Sequence, residues 1–458
     1  MVAAAHKSSG KTVVSAGITS ALVARGHKTA VFKKGPDYID PMWLRLAAGR
    51  AAYNLDFNTM TRNEIRSLFQ GKAAGADISL IEANKGLYDG VATDGSDSNA
   101  ALAKLLRIPV VLVIDTKGMT RGIAPLLRGY TDFDPEVRIA GVILNKTGGS
   151  RHEEKLRQAV ETYTEIEVLG AIGASADLDI SERHLGLTTP SDTSRTEGFV
   201  DRAGTRVAQF VDVDRLVDIA ASAMTFPPVQ LVEAPPPNMR GLRIGIARDE
   251  AFGFYYPDDL EAFEAAGAEL VPVDTIRESC LPDVDGLFIG GGFPEVHAAA
   301  LSANTSMRMS IRKALVSGLP TYAECGGLMY LCRSLEWEGK VYPMAGFFEA
   351  DAVMHDVPQG RGYVGFTTSP AASWPSARGE QRAHEFHYAR LENLKNPVFG
   401  RKVTRGHGIT GRYDALVQGN TQAGFFHLRH TAQTPWVTDF LEFVSAARER
   451  VAVKSRSA

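Results

Sequence analysis

Short apolar runs alternate with helix-period stretches along most of this chain. "TAVFK" (29–33), "ISLIEA" (78–83), "PVVLVID" (109–115) and "IAGVILN" (139–145) are rich in Val, Ile and Leu and lack polar alternation. Such runs suit central parallel strands covered by helices on both faces. The pattern returns in "LRIGIARD" (242–249), "AELVPVD" (268–274), "GLFIGGG" (286–292) and "LPTYAEC" (319–325). Between the two series lies "FPPVQLVEAPPPNMR" (226–240), with two proline clusters. Proline lacks an N–H and biases its predecessor to extended geometry, so this stretch reads as a linker. The pattern predicts two open α/β domains, with no internal repeat beyond that shared architecture. The tail "RERVAVKSRSA" (448–458) is expected to fray.

Composition narrows function more than fold. The 458 residues are enough for two or three cores of ordinary size. Basic and acidic side chains number 50 and 53, for a formal net charge of −3, which gives no electrostatic footing for nucleic acid or an anionic membrane. Three cysteines, Cys280, Cys325 and Cys332, cannot build a disulfide framework. They point to a reducing compartment and leave room for a working thiol. No apolar run approaches about 20 residues. The N-terminus lacks a charged-then-apolar export pattern, so a cytoplasmic location is expected.

"AAAHKSSGKTVV" (3–14) ends like a phosphate loop. Ser8 and Ser9 are small enough for close backbone approach, Gly10 ends the loop, Lys11 supplies a point charge, and Thr12 supplies a hydroxyl for Mg²⁺. Ala5 stands where G-x-x-x-x-G-K-[ST] has its first glycine, and alanine takes φ > 0 poorly. A Ser/Gly turn before a helix accounts for this stretch about as well. Two later stretches shift the balance. "KKGPDYID" (33–40) places Asp37 and Asp40 just past a predicted strand end, and "LIEANKGLYDG" (80–90) places Glu82 and Asp89 similarly. Open α/β sheets bind ligands at that edge. Hard oxygen ligands suit Mg²⁺ held with phosphates. Each acid alone is an ordinary solvated charge; together they form a metal and substrate rim.

"TYAECGGLMYL" (321–331) runs from an apolar strand through a glycine turn into a helix. A cysteine in that elbow is exposed above the sheet, with a helix N-terminus to favour its thiolate. Gly326 and Gly327 argue against the commoner inert core cysteine. Cys332, inside the predicted helix, and Cys280, in a loop, are assigned no chemistry. A thiol nucleophile needs a base. "RAHEFHY" (382–388) offers His384 and His387 on opposite strand faces, and "GFFHLRHT" (424–431) offers His427. The residues alone leave the choice open. "GLFIGGGFPEVH" (286–297) adds glycines whose N–H groups could stabilise an oxyanion.

These segments resemble the cobyrinic acid a,c-diamide synthase family from end to end. The matching stretches are "KKGPDYIDP", "KGLYDG", "ERHLGL" (182–187), "FYYPDDLEAFEAAGAELV", "GGGFPE", "YAECGGLMYL", "HEFHY" and "FFHLR". Residues 1–225 resemble its ATP-dependent amidoligase domain, a P-loop NTPase fold related to dethiobiotin synthetase. Residues 241–445 resemble its class I glutamine amidotransferase domain, with 226–240 as linker and 446–458 as tail. The resemblance implies that Cys325 attacks glutamine with His427 as base, beside an oxyanion and glutamine loop at Gly291, Gly292 and Gly326. It implies ATP on Ser9, Gly10, Lys11 and Thr12. It assigns Mg²⁺ to Thr12, Asp37 and Glu82, and substrate to Tyr38, Asp40 and Asp89.

Members of the family carry irregular phosphate loops, with the early glycine one residue further back; here that position is Ala4. The implied reaction amidates the a and c acetate side chains of a tetrapyrrole through an acyl phosphate, with ammonia from glutamine. The implied partners are tetrapyrrole, glutamine and ATP, with no nucleic acid and no membrane, and a homodimer is left open. Three departures keep a sirohaem-amidating sister branch in view. They are "EANKGLYDG" in place of "EGVMGLYDG", Arg429 where relatives often have a second histidine, and the basic "GRGY" of "MHDVPQGRGYV" (354–364). A different class is a P-loop switch ATPase with a non-catalytic amidotransferase-like module. Cys325 argues against it, because a degenerate module would usually lack the nucleophile.

Overall fold

The computed structural model divides into two compact units, Met1–Leu231 and Val232–Ala458. It describes residues 1–175, 182–183, 186–189, 198–228, 238–374 and 379–457. Residues 229–237 of the proline-rich stretch and residues 184–185 of "ERHLGL" fall outside that set.

The first unit is built on seven parallel strands. Their order is Ala52–Leu55, Thr29–Lys34, Ile78–Glu82, Val2–Ala4, Val110–Asp115, Ile139–Thr147, Val168–Gly173. Every residue of Thr29–Lys34 is buried, as a run without polar alternation requires. Val14, Ile18 and Leu22 of the helix Lys11–Ala24 pack on one face with Val31, Val111 and Val207. Leu112, Leu127, Leu144 and Leu156 fill the other. Gly17 lets the helix Phe199–Phe210 approach closely, since a Cβ there would stand 2.6 Å from the Val207 side chain. Because the strands are parallel, their C-terminal loops all emerge at one edge. The loops 5–10, 35–38 and 83–98 therefore meet.

The second unit has a nine-stranded sheet. Five parallel strands come first, in the order Glu269–Val273, Arg243–Ala247, Gly286–Ile289, Thr321–Glu324, Thr421–Gly424. An antiparallel arm continues through Tyr413–Gln418, Phe399–Arg405, Gly360–Thr368 and Gln381–His387. The apolar runs did not predict this arm, because its strands mix polar and apolar positions. An aromatic cluster fills one face. Phe288 stacks on Tyr322 with ring centroids 5.5 Å apart and meets the edges of Trp436 at 5.0 Å and Tyr255 at 5.1 Å.

Three local expectations differ from the structure. Cys325, expected to stand exposed above the sheet, is buried, because the elbow lies in the same core cluster as Leu328, Met329 and Phe425. The helix Gly326–Leu331 stops before Cys332, which opens the strand Cys332–Trp337, where "CRSLEW" loses helical periodicity. The backbone stays helical over Trp436–Ser457, through the stretch expected to fray. Neither Gly nor Pro interrupts that stretch, and Trp436, Val437, Phe440, Leu441 and Val444 anchor its start in the aromatic core. Among the described residues no helix is long and apolar enough to cross a membrane.

Phe288→Ala leaves a cavity among these rings and should destabilise the second unit by about 3–5 kcal/mol. Urea unfolding followed by circular dichroism checks this, and an unchanged midpoint would contradict the packing.

Candidate active site

The strand Val2–Ala4 hands the chain to residues 5–10, and these to the helix Lys11–Ala24. The left-handed turns fall at Ser8 (φ 63°) and Gly10 (φ 82°), not at Ala4 or Ala5. The place where the motif has its first glycine therefore needs none. A Cβ on Gly10 would stand 2.4 Å from Asn145 Nδ2, so that glycine is required. The loop's carbonyls are tied back. Asn145 Nδ2 donates to Ser9 O at 2.9 Å, Lys146 Nζ to Ser8 O at 3.0 Å, and the Tyr130 hydroxyl to Ala5 O at 2.6 Å. Buried Ser9 turns its hydroxyl to His6 O at 2.8 Å. The helix start carries no acid in its first turn, so its N–H groups suit an anion. Lys11 Nζ donates to Lys85 O at 2.7 Å. Burial, then the Lys33 charge, lower its pKa to about 8, against Glu82, Asp40 and Asp89.

The predicted acids converge on a residue to which the sequence reading gave no role. Lys33 Nζ donates to Asp40 and to Glu82 Oε1 at 2.8 Å, and lies 3.8 Å from Asp37. Burial opposes its charge, but the three carboxylates outweigh it and hold the ammonium protonated. Thr12 Oγ1 donates to the same Glu82 oxygen at 2.9 Å. Glu82 Oε2 is buried and receives no hydrogen bond, and burial pushes this carboxyl's pKa up. Asp37 Oδ1 accepts from Ile39 N at 2.9 Å and Asp40 N at 3.1 Å, opening the helix Ile39–Ala48 with Tyr38 at its cap. Burial and the Asp40 charge push Asp37 up to about 7. Asp40 is half-buried, and the Lys33 charge outweighs its desolvation and holds it below the usual carboxylate range.

Thr12, Asp37, Asp40 and Glu82 are thus one cluster around Lys33. Asp89 is exposed and accepts from Gly86 N at 3.0 Å. Among the described residues no three His, Cys, Asp or Glu side chains form a metal centre. Thr12 Oγ1 and Glu82 Oε2 are nonetheless hard oxygens beside the loop. That donor chemistry fits Mg²⁺ when phosphates supply other ligands.

In the second unit three loops leave adjacent parallel strands. Cys325 follows Thr321–Glu324, Gly291 and Gly292 follow Gly286–Ile289, and His427 follows Thr421–Gly424. Cys325 N donates to Gly424 O at 2.7 Å, pinning the elbow to the neighbouring strand. Its backbone is left-handed, at φ 48° and ψ −101°. For a non-glycine residue that strain persists only where the surroundings enforce it. The glycines let the loops close. A Cβ on Gly291 would stand 2.6 Å from His427 Cε1, one on Gly326 would stand 3.2 Å from Gly292 N, and one on Gly327 would stand 2.3 Å from Ile289 O.

The structure also separates the three histidines. His427 meets the Cys325 thiol. Burial disfavours its charge, but Cys325 and Glu324 outweigh it and raise its pKa to about 10. His384 stacks on His427 with centroids 4.9 Å apart, in a bridge where His427 N donates to His384 O at 2.9 Å. Burial, then His427 and Arg429, hold His384 neutral. His387 lies flat on Phe425 at 3.8 Å and contacts Ala389 O through Nδ1, away from the thiol. Sequence reasoning missed Lys33, Asn145 and Glu324. Lys33 carried a signal, as a lysine at the end of an apolar strand just before a run of acids.

Residues 1–187 match the CobQ/CobB/MinD/ParA nucleotide binding domain, and residues 243–435 the CobB/CobQ-like glutamine amidotransferase domain. Over 448 residues the chain is 43% identical to a cobyrinate a,c-diamide synthase of Magnetococcus marinus, covering 96% of each. It is 40% identical over 463 residues to one of Methanosarcina acetivorans, covering 94% of this chain and 92% of that protein. It is 40% identical over 450 residues to one of Dehalococcoides mccartyi, covering 96% and 97%.

A lysine with its pKa near 8 regains its proton when phosphates approach. At about pH 8.5, ATP binding should take up most of one proton through Lys11, and the Lys11→Ala variant should lose that uptake. Calorimetry in buffers of different ionisation enthalpy measures it; equal uptake by parent and variant would remove Lys11 from the phosphate contacts.

Proposed function

The chain belongs to the cobyrinate a,c-diamide synthase family and is a glutamine-dependent amide ligase with a nucleotide-binding domain, and from that premise we propose how it works. Its substrate is cobyrinate, and its products are the amides of the a and c acetate side chains. The relatives' names favour this macrocycle over a sirohaem-type one. The observation that carries the reading is the pair of half-sites in one chain: a phosphate loop with its lysine, and a strained cysteine beside a histidine.

In the first unit the N–H groups at Gly10–Thr12 and the Lys11 ammonium receive the ATP phosphates. Thr12 and Glu82, with Asp37 at the rim, would hold Mg²⁺, which supplies charge neutralisation for the transferring phosphoryl group. Lys33, buried and held by these carboxylates, fixes Asp40 and Glu82 in place. Tyr38, Asp40 and Asp89 stand where the substrate carboxylate arrives. That carboxylate attacks the γ-phosphate, giving an acyl phosphate and ADP. Ammonia then displaces phosphate and leaves the amide.

In the second unit the thiol proton rests on His427, whose raised pKa keeps it there, and Cys325 Sγ attacks the glutamine side-chain carbonyl. The N–H groups of the 291–292 loop and of Gly326 stabilise the oxyanion. The protonated imidazole returns its proton to the leaving ammonia, and water hydrolyses the thioester.

Cys325→Ser should abolish glutamine-dependent amidation and leave amidation driven by high ammonium intact, because activation of the carboxylate does not use the thiol. Lys11→Ala should show the reverse, with both amidations lost by about 100-fold or more and glutamine hydrolysis retained. Mass spectrometry of cobyrinate and sirohydrochlorin after incubation with ATP, Mg²⁺ and glutamine reads both variants against the parent. Two added amides on cobyrinate are expected. Full glutamine-dependent activity in Cys325→Ser would end the amidotransferase reading, and product from sirohydrochlorin alone would move the substrate to the sister branch.

A further inference from the structure

We propose that Glu324, the residue just before the nucleophile, is the carboxylate that positions His427 for glutamine hydrolysis. The inference rests on the reading of Cys325 and His427 as thiol and base. Its ground is a buried chain of contacts. Glu324 Oε2 lies 3.3 Å from His427 Nδ1. Glu324 Oε1 accepts from the Tyr322 hydroxyl at 2.7 Å and from Leu428 N at 2.8 Å. Arg401 Nη2 donates to the same hydroxyl at 3.2 Å, and Arg401 Nη1 lies 3.5 Å from Asp414. Asp414 in turn accepts from Phe425 N at 2.9 Å and Phe426 N at 3.3 Å. None of these side chains is more than 3% exposed.

Strand alternation explains the arrangement. Tyr322 and Glu324 are two apart on one strand and share a face, while Cys325 turns out at the elbow. The Cys325 N–H bond to Gly424 O and the adjacent Glu324–Gly424 register then set that face against the loop carrying His427. The other groups around the imidazole are otherwise engaged. Two residues past His427 stands a cation, Arg429, bonded to Asp258 at 2.7 Å and lying over the Tyr256 ring at 4.9 Å. Asp259 accepts from His430 N at 2.7 Å and from Trp436 Nε1 at 3.0 Å. His384 covers one ring face, and its Nδ1 is 3.4 Å from the Tyr256 hydroxyl. The carboxylate facing Nδ1 is therefore Glu324.

The chemical consequence is a fixed tautomer. With Nδ1 facing the carboxylate at 3.3 Å, an Nδ1–H tautomer is favoured and Nε2 is the edge turned to the thiol proton. The proton passes from Sγ to Nε2, and Glu324 keeps its own charge throughout. It touches neither glutamine nor the sulfur, so it is a positioning residue.

Glu324→Gln keeps the shape and removes the charge. It should lower kcat for glutamine hydrolysis on the order of 100-fold, with KM for glutamine within about twofold and ammonium-driven amidation at the parent level. A second readout is the pH dependence of Cys325 alkylation by iodoacetamide. Without the carboxylate the imidazolium is less stable, so the limb on which the reactive thiolate first appears should move to higher pH. Glu324→Asp, which keeps the charge further from the ring, should fall between parent and Glu324→Gln, and decides the matter should Glu324→Gln fail to fold. Parent-level hydrolysis with an unmoved alkylation profile in the variant that folds would overturn the proposal. Loss of ammonium-driven amidation together with hydrolysis would make Glu324 a structural residue and overturn it as well. If Cys325→Ser is inactive with glutamine while Glu324→Gln is not, this inference fails alone. If Cys325→Ser remains active, the reading beneath it fails.

Discussion

A charge taken out of water must meet its opposite, and both reactive ends of this chain are arranged around that constraint. In the first unit one ammonium, Lys33, sits among three carboxylates at the strand ends. Without it, Asp40 would lose the charge that holds its carboxyl low beside a loop that must also present Lys11. In the second unit Arg401 and Asp414 answer each other inside the sheet, and Tyr322 carries their order on to Glu324. Each polar group is held by the next, so the position of the last one depends on all the earlier ones.

Parallel strands supply the frame on which these chains can be built. Strands that run the same way end at the same edge, and residues distant in sequence become neighbours there. Thr12, Lys33 and Glu82 come from three separate strand–loop junctions. So do Gly291, Cys325 and His427. The glycines at these junctions are steric requirements, because a Cβ at Gly291 or Gly327 would enter a side chain or carbonyl already in place.

Much of this was legible in the chain itself. The unalternating apolar runs gave the central strands of both units. Glycine punctuation singled out Lys11 and Cys325, because a tight turn before a helix needs glycine whatever surrounds it. The histidines were not separable from the residues alone, although the family resemblance named His427. His384, His387 and His427 all lie in apolar surroundings, and only the cross-strand register tells which ring meets the thiol. Glu324 was hidden for a related reason: as the last residue of a buried strand its value depends on a partner about a hundred residues later. Lys33 was hidden because a buried lysine shows only through the acids around it. Ala5 looked like a defect since the motif fixes where glycine stands, whereas the backbone took its left-handed turns at Ser8 and Gly10.

The phosphate loop also touches the loop that follows Glu82. Leu87 N donates to Ala4 O at 2.8 Å, and a Cβ on Gly86 would stand 2.5 Å from Ala5 O. The Tyr130 hydroxyl closes on the same Ala5 carbonyl. These three segments are far apart in sequence yet fit as one casting. A chimera that exchanged the "KGLYDG" loop with a relative's and kept its own phosphate loop would carry a mismatched seam at Ala5. Exchanging either loop on this scaffold therefore means moving both together with the tyrosine that backs them.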